Sequence, residues 1–199
     1  MKKTASNKIL WIFAVGQLGW SILSGIIANW LVFFYQPSGE EIAKGQHIFI
    51  PQGTIIGLTV IGMITAVGRI FDAVTDPLIA GKSDSLVHKL GRRIPFMRYS
   101  AVPFGLVTIL IFVSPFEDRS PLNVACLFIT VMLFYFCMTC YCTPYNALIP
   151  ELGSTQDSRI NLSTYISVTY FFGTAIAYLV PNIAGLLPAS LGYAGTYRV

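Results

Sequence analysis

Three stretches of this chain, residues 9–35, 122–149 and 160–187, contain no Asp, Glu, Lys or Arg. Each is 27 or 28 residues long, and a helix needs only about 20 apolar residues to cross a hydrocarbon core about 30 Å thick. In such a core every peptide group must be satisfied within the chain, so an apolar run of this length predicts a spanning helix. Two further runs, residues 53–81 and 94–114, are interrupted only by Arg69, Asp72 and Asp76 in the first and Arg98 in the second. Five such runs predict an all-α polytopic membrane protein. The composition agrees, with 54% apolar and 11% charged residues against about 25% charged in an average soluble domain. The net charge of +4 does not indicate nucleic acid, because Lys and Arg gather in terminal and connecting segments.

Met1-Lys2-Lys3 through Lys8 resembles the start of a cleavable leader, but the run that follows is too long and lacks an Ala-x-Ala end, so it reads as the first span. Its small residues suit close helix packing, as does the pair Gly53-x-x-x-Gly57 at the start of the second span. Polar connections are expected at 36–52, 82–93, 115–121 and 150–159, with Pro181 expected to kink the fifth span. Orientation follows from the basic residues in the segments outside the spans, with Arg98 at the start of the third span counted beside them. Lys2, Lys3, Lys8, Lys82, Lys89, Arg92, Arg93, Arg98 and Arg159 fall on one side, and Lys44, Arg119 and Arg198 on the other. Nine against three predicts a cytoplasmic N-terminus. Residues 188–199 hold no sixth span and read as a loop before another helix. The chain is therefore expected to be a fragment of a longer carrier.

Arg69-Ile-Phe-Asp72-Ala-Val-Thr-Asp76-Pro77 is the stretch that carries chemistry. On a helix, residues four apart share a face, so both carboxylates point one way with Arg69 a turn before them. Nine residues from Gly81, at about 1.5 Å each, Asp72 lies roughly 13 Å inside. Bare carboxylates there cost about 2.5–3.5 kcal/mol each, so they should meet a wet cavity, an ion or a partner. Pairing with Arg69 would leave one carboxylate over, and a buried ion pair alone is weak support for stability. A monovalent cation, Na⁺ or H⁺, would neutralise the remaining charge. Pro77 can free a carbonyl for the same cavity.

Two other features accompany it. Asp84 followed by Gly91-Arg92-Arg93 is either a solvated turn or a clamp on helix ends, with Asp84, Arg92 and Arg93 closing one face of a gate. In the fourth run Thr139, Cys142 and Asn146 share a helix face, either as ordinary interhelical hydrogen-bonding residues or where a carrier would place substrate contacts. The cysteines Cys126, Cys137, Cys140 and Cys142 read as small apolar helix residues, since no second Cys or His cluster completes a metal or redox site. No nucleophile–base pair or phosphate loop suggests an enzyme.

Three motifs together resemble the glycoside–pentoside–hexuronide:cation symporter family of the major facilitator superfamily. They are Arg69-x-x-Asp72-x-x-x-Asp76-Pro77, Gly91-Arg92-Arg93-x-Pro95-Phe96, and Thr139-x-x-x-x-Pro144-Tyr145-x-x-Leu148-Ile149-Pro150. The resemblance covers nearly the whole chain, as the N-terminal half of a twelve-helix transporter. It implies that Asp72 and Asp76 bind the coupling cation with the Thr139 hydroxyl nearby and Arg69 beside the site. In the family's melibiose:sodium symporter, aspartates in spans one and four, a span-four tryptophan and a span-five arginine hold the sugar. The matching positions here are Ser21, Cys142, Asn146 and Ser167, so the cation machinery is kept and the substrate half is rewritten. The resemblance implies Na⁺- or H⁺-coupled transport of a sugar or glycoside by alternating access, in a bacterial cytoplasmic membrane, with no other cofactor. A carrier of lysolipid or another amphipathic solute, and a receptor that binds without transporting, are the alternatives.

Overall fold

The computed structural model describes residues 6–43, 48–55, 57–116 and 119–185. Five long helices carry the fold: α1 (Asn7–Tyr35), α3 (Val60–Ser85), α4 (Ile94–Ile111), α5 (Pro121–Leu152) and α6 (Gln156–Gly185). A short α2 (Gly39–Ala43) lies in the first connection, and a two-stranded hairpin, β1 (Thr54–Ile55) with β2 (Leu58–Thr59), precedes α3. Among the described residues, four helices are by length and composition long and apolar enough to cross a membrane: α1, α4, α5 and α6 through Ile183. The fifth, α3, is long enough, but Arg69, Asp72, Asp76, Lys82 and Asp84 make it too charged to count on that basis.

The hairpin corrects the expected start of the second span at residue 53. Gly57 has φ +76°, outside the right-handed helical region, and belongs to the tight turn between β1 and β2. The Gly53–Gly57 pair is therefore not a helix-packing motif. Thr59 then starts α3 as its N-cap, accepting a hydrogen bond from the Gly62 N–H at 3.2 Å. The helix runs past Gly81 to Ser85, since one glycine weakens a helix without breaking it. Asp72 thus sits at the middle of α3. The fourth span also overruns its expected end, because Pro150 falls in the last turn of α5. Proline there removes one hydrogen bond but keeps a helical φ. The helix closes at Gly153, whose N–H donates to the Ile149 carbonyl at 3.0 Å. Glu151 is therefore helical, and the connection to α6 shrinks to 153–155. Likewise α4 ends at Ile111 rather than 114. The tail at 188–199 and the basic residues Lys2, Lys3, Lys44 and Arg198 lie outside the described residues.

α1 packs along α6, while α5 packs against both α3 and α4. The first pair is tight. A Cβ on Gly173 would strike Ser21 Oγ, one on Gly25 would come 2.8 Å from the Ala177 methyl, and Trp30 Nε1 donates to the Ala177 carbonyl at 2.7 Å. Tyrosines join α1 to its other neighbours. Tyr145 donates to the Phe13 carbonyl (3.0 Å) and stacks on the Phe13 ring, Tyr141 donates to the Gly16 carbonyl (3.2 Å), and Tyr35 donates to the Ile111 carbonyl (2.5 Å). These bonds satisfy phenol groups that burial would otherwise strand, each contributing roughly 0.5–1.5 kcal/mol. Beside Tyr35, an aromatic cluster of Phe34, Phe49 and Phe112 closes one end of the bundle. The opposite end holds the start of α1, the end of α3, the α3–α4 connection and the α5–α6 connection. Lys8, Lys82, Lys89, Arg92, Arg93, Arg98 and Arg159 all fall there. Outward faces such as Val102, Leu106, Ile109 and Phe171 are exposed and apolar, as a lipid-facing surface requires.

Candidate functional site

Between α1, α3, α5 and α6 lies a cavity of about 830 Å³. Its charged lining consists of Arg69, Asp72 and Asp76, all on α3. The i, i+4 spacing puts both carboxylates on the face turned to α5, and α5 meets them with threonines at the same spacing. Thr139 Oγ1 donates to Asp72 Oδ1 at 2.6 Å, and Thr143 Oγ1 donates to Asp76 Oδ1 at 2.8 Å. Thr139 is buried, and its hydroxyl also lies 3.4 Å from that of Thr75. Each carboxylate keeps a second oxygen for another ligand, and a threonine hydroxyl can accept as well as donate. Two carboxylates and two hydroxyls therefore converge on one wall, a set of hard oxygen donors suited to a small cation.

Arg69 does not pair with either acid. Among the described residues both ion pairs belong to Arg93, and the Arg69 guanidinium lies 5.3 Å from the centre of the Tyr135 ring. That ring is buried against Gly68, where a Cβ would stand 2.6 Å from Tyr135 Cδ2. The glycine thus lets the ring reach α3 and lie under Arg69.

The expected substrate residues divide. Ser21, Cys142 and Asn146 line the cavity, but Ser167 is exposed and lies outside it. Ser21 is buried, donates to the Leu18 carbonyl of its own helix at 2.9 Å and sits against Gly173, so it also serves the α1–α6 packing. In place of Ser167, α6 contributes Tyr170, Thr174 and Tyr178, spaced by four and so on one helix face. That spacing was the available signal for them, as the matching 72/76 and 139/143 spacings were for Thr143. Trp20 adds an aromatic wall on α1. All four cysteines are free thiols, with Cys137 and Cys140 buried inside α5.

At the basic end, Arg93 gathers three helices. Its Nε and Nη2 donate to Asp84 Oδ1 (3.1 and 2.9 Å), and Nη1 donates to Glu151 Oε1 (2.7 Å) and to the Ala147 carbonyl (2.5 Å). Asp84 and Arg93 are thus together as expected. Arg92 is not: it is exposed and makes no ion pair among the described residues. Glu151, expected in a loop, is the third member.

Known proteins place this architecture. The family described as MFS/sugar transport protein matches residues 12–198. An uncharacterized symporter of Synechocystis sp. is 30% identical over 158 residues, which is 77% of this chain and 26% of that protein. A putative glycoside/cation symporter of Escherichia coli K12 is 29% identical over 141 residues, 69% of this chain and 30% of that protein. The sodium-dependent lysophosphatidylcholine symporter 1-A of Danio rerio is 29% identical over 143 residues, 71% of this chain and 26% of that protein. The chain spans about a quarter to a third of the length of these curated relatives, which are symporters by name rather than enzymes. With the match taking in the whole cavity and all four of its helices, the chain belongs to the MFS/sugar transport protein family of integral membrane proteins.

Proposed function

We propose that this chain forms the N-terminal half of a cation-coupled secondary transporter that moves a sugar or glycoside by alternating access. Within its superfamily, the glycoside–pentoside–hexuronide:cation branch is the assignment. One observation carries the reading: Thr139 on Asp72 and Thr143 on Asp76, side by side in the wall of a cavity large enough for a small solute. Na⁺ or H⁺ would occupy the carboxylate wall at Asp72, Asp76 and Thr139, with Arg69 beside it. The solute would take the space toward Ser21, Cys142, Asn146 and Tyr170. Asp84, Arg93 and Glu151 would form the cytoplasmic closure, released when the cavity turns inward. Basic residues crowding that end support a cytoplasmic N-terminus, and relatives in Synechocystis and Escherichia coli support a bacterial cytoplasmic membrane. The working unit joins this half to the remainder that the longer relatives possess.

The complete carrier, reconstituted in liposomes, should accumulate a glycoside under an inward Na⁺ or H⁺ gradient. Asp72→Asn and Asp76→Asn should each abolish that accumulation. Uptake independent of both gradients, or unchanged by both substitutions, would overturn the reading in favour of an uncoupled carrier, and solute binding without any uptake would overturn it in favour of a non-transporting receptor. A second reading keeps the cation site and changes the cargo to a lysolipid. It is favoured by the similarity to sodium-dependent lysophosphatidylcholine symporters and by a wall that, among the described residues, carries no carboxylate beyond Asp72 and Asp76. Competition between labelled glycoside and lysophosphatidylcholine separates the two.

A further inference from the structure

Nine described threonines lie inside helices, and seven of them, from Thr65 to Thr174, donate their hydroxyl to a carbonyl three or four residues back in their own helix. This is the default for a helical threonine, because that carbonyl is always within reach. Thr139 and Thr143 are the two exceptions, and each reaches across to a carboxylate on α3 instead. The two carboxylates are not held equally. Thr139, which binds Asp72, is itself buried and lies 3.4 Å from Thr75 Oγ1. Asp76 is exposed to the cavity, and Thr143 is its one side-chain partner among the described residues.

Resting on the cation-coupled reading above, we propose that Thr143 is a positioning residue of the cation step, whose hydroxyl fixes the Asp76 carboxylate so that it and Asp72 converge on one ion. Without that hydroxyl, Asp76 regains its other side-chain rotamers, and one of the two charges facing the ion must be ordered when the ion binds. The hydroxyl can donate to the carboxylate before binding, then rotate and offer a lone pair once the ion has arrived. Thr143→Val keeps the shape of the side chain and removes both functions, while Thr143→Ser keeps both.

The test is equilibrium binding of radioactive Na⁺ to the purified complete carrier, with no solute needed. Thr143→Val should raise the half-saturating Na⁺ concentration about tenfold at unchanged binding capacity, the scale expected for one hydrogen bond to a charged group. Thr143→Ser should stay within about twofold of the native protein. A packing role would instead lower the melting midpoint equally with and without Na⁺ and leave the titration in place. Should Thr143→Val fail to fold, Thr143→Ala against Thr143→Ser carries the same comparison. Native affinity in the valine or alanine variant, with Asp76→Asn binding no Na⁺, overturns the role of Thr143 and leaves the cation site standing. Absence of saturable Na⁺ binding in the native protein overturns the Na⁺ form of the cation reading, and this inference with it.

Discussion

Removing Arg93 should open the basic end of the bundle, and the size of the effect can be worked from its contacts. The Arg93 side chain is 14% exposed, against 53% for Asp84 and 51% for Glu151. Ion pairs to carboxylates that exposed are screened by solvent and contribute only about 0.2–1 kcal/mol each. The bond from the guanidinium to the Ala147 carbonyl is better sheltered, and a charged donor of that kind contributes about 1.5–3 kcal/mol. Arg93→Ala should therefore cost the closed arrangement about 2–5 kcal/mol. At about 1.4 kcal/mol per factor of ten, the ratio of closed to open shifts by roughly 30- to 4000-fold. Arg93→Lys should have a smaller effect, since one ammonium cannot serve both carboxylates and the carbonyl with the arginine fork's geometry. Cys142 reports the change because it lines the cavity, whereas Cys137 and Cys140 are buried. In a Cys126→Ser background, a membrane-impermeant maleimide applied from the Arg93 side should label Cys142 at least tenfold faster in Arg93→Ala. Arg92→Ala should label at the native rate. Equal labelling of native protein and Arg93→Ala, or equal acceleration by Arg92→Ala, would refute the clamp.

Gly68→Ala should destabilise the fold by about 1–3 kcal/mol, because the new methyl has no room beside the buried Tyr135 ring; a melting midpoint equal to the native one would refute that packing. Trp20 Nε1 is buried with no hydrogen-bond partner among the described residues, so Trp20→Phe forfeits no internal bond. It should keep stability within about 1.5 kcal/mol, the range for volume-tolerant apolar exchanges, as read by thermal unfolding in detergent. Normal stability with weakened solute uptake would show instead that the indole N–H meets the cargo.

Much of the fold is legible in the sequence, because in a bilayer the absence of charge is itself a structural instruction. Residues 9–35 and 160–187 announce α1 and α6 within a few residues. The errors fall where sequence punctuation competes with context. Gly53 and Gly57 read equally well as a packing pair or as turn residues, and only the left-handed φ of Gly57 decides between them. Pro150 reads as a stop, yet the last turn of α5 absorbs it, which brings Glu151 onto the helix within reach of Arg93. Within the site, Asp72, Asp76 and Thr139 are marked by their cost in hydrocarbon and by their motif. Ser167 matches another protein's arginine by position, and a displacement of three residues on α6 puts Tyr170 at the cavity instead.

The same offset of 67 residues separates Asp72 from Thr139 and Asp76 from Thr143. That equality is a consequence of topology. α3 and α5 are separated by one antiparallel helix, α4, so they run in the same direction and present their side chains at the same rise per residue. Two carboxylates four apart on α3 can therefore meet two hydroxyls four apart on α5 only in matched order. A slide of α5 along α3 by one turn, about 5.4 Å, would bring Thr143 opposite Asp72 and leave Asp76 without a threonine. The two bonds thus fix the relative register of the helices as well as the carboxylates. A Na⁺ ion bound between Asp72 and Asp76 would add its own tie to that register, which without the ion rests on the two threonine bonds. This is a physical route by which cation occupancy can bear on the closure at Arg93, since Glu151 and Ala147 lie one to two turns further along the same α5.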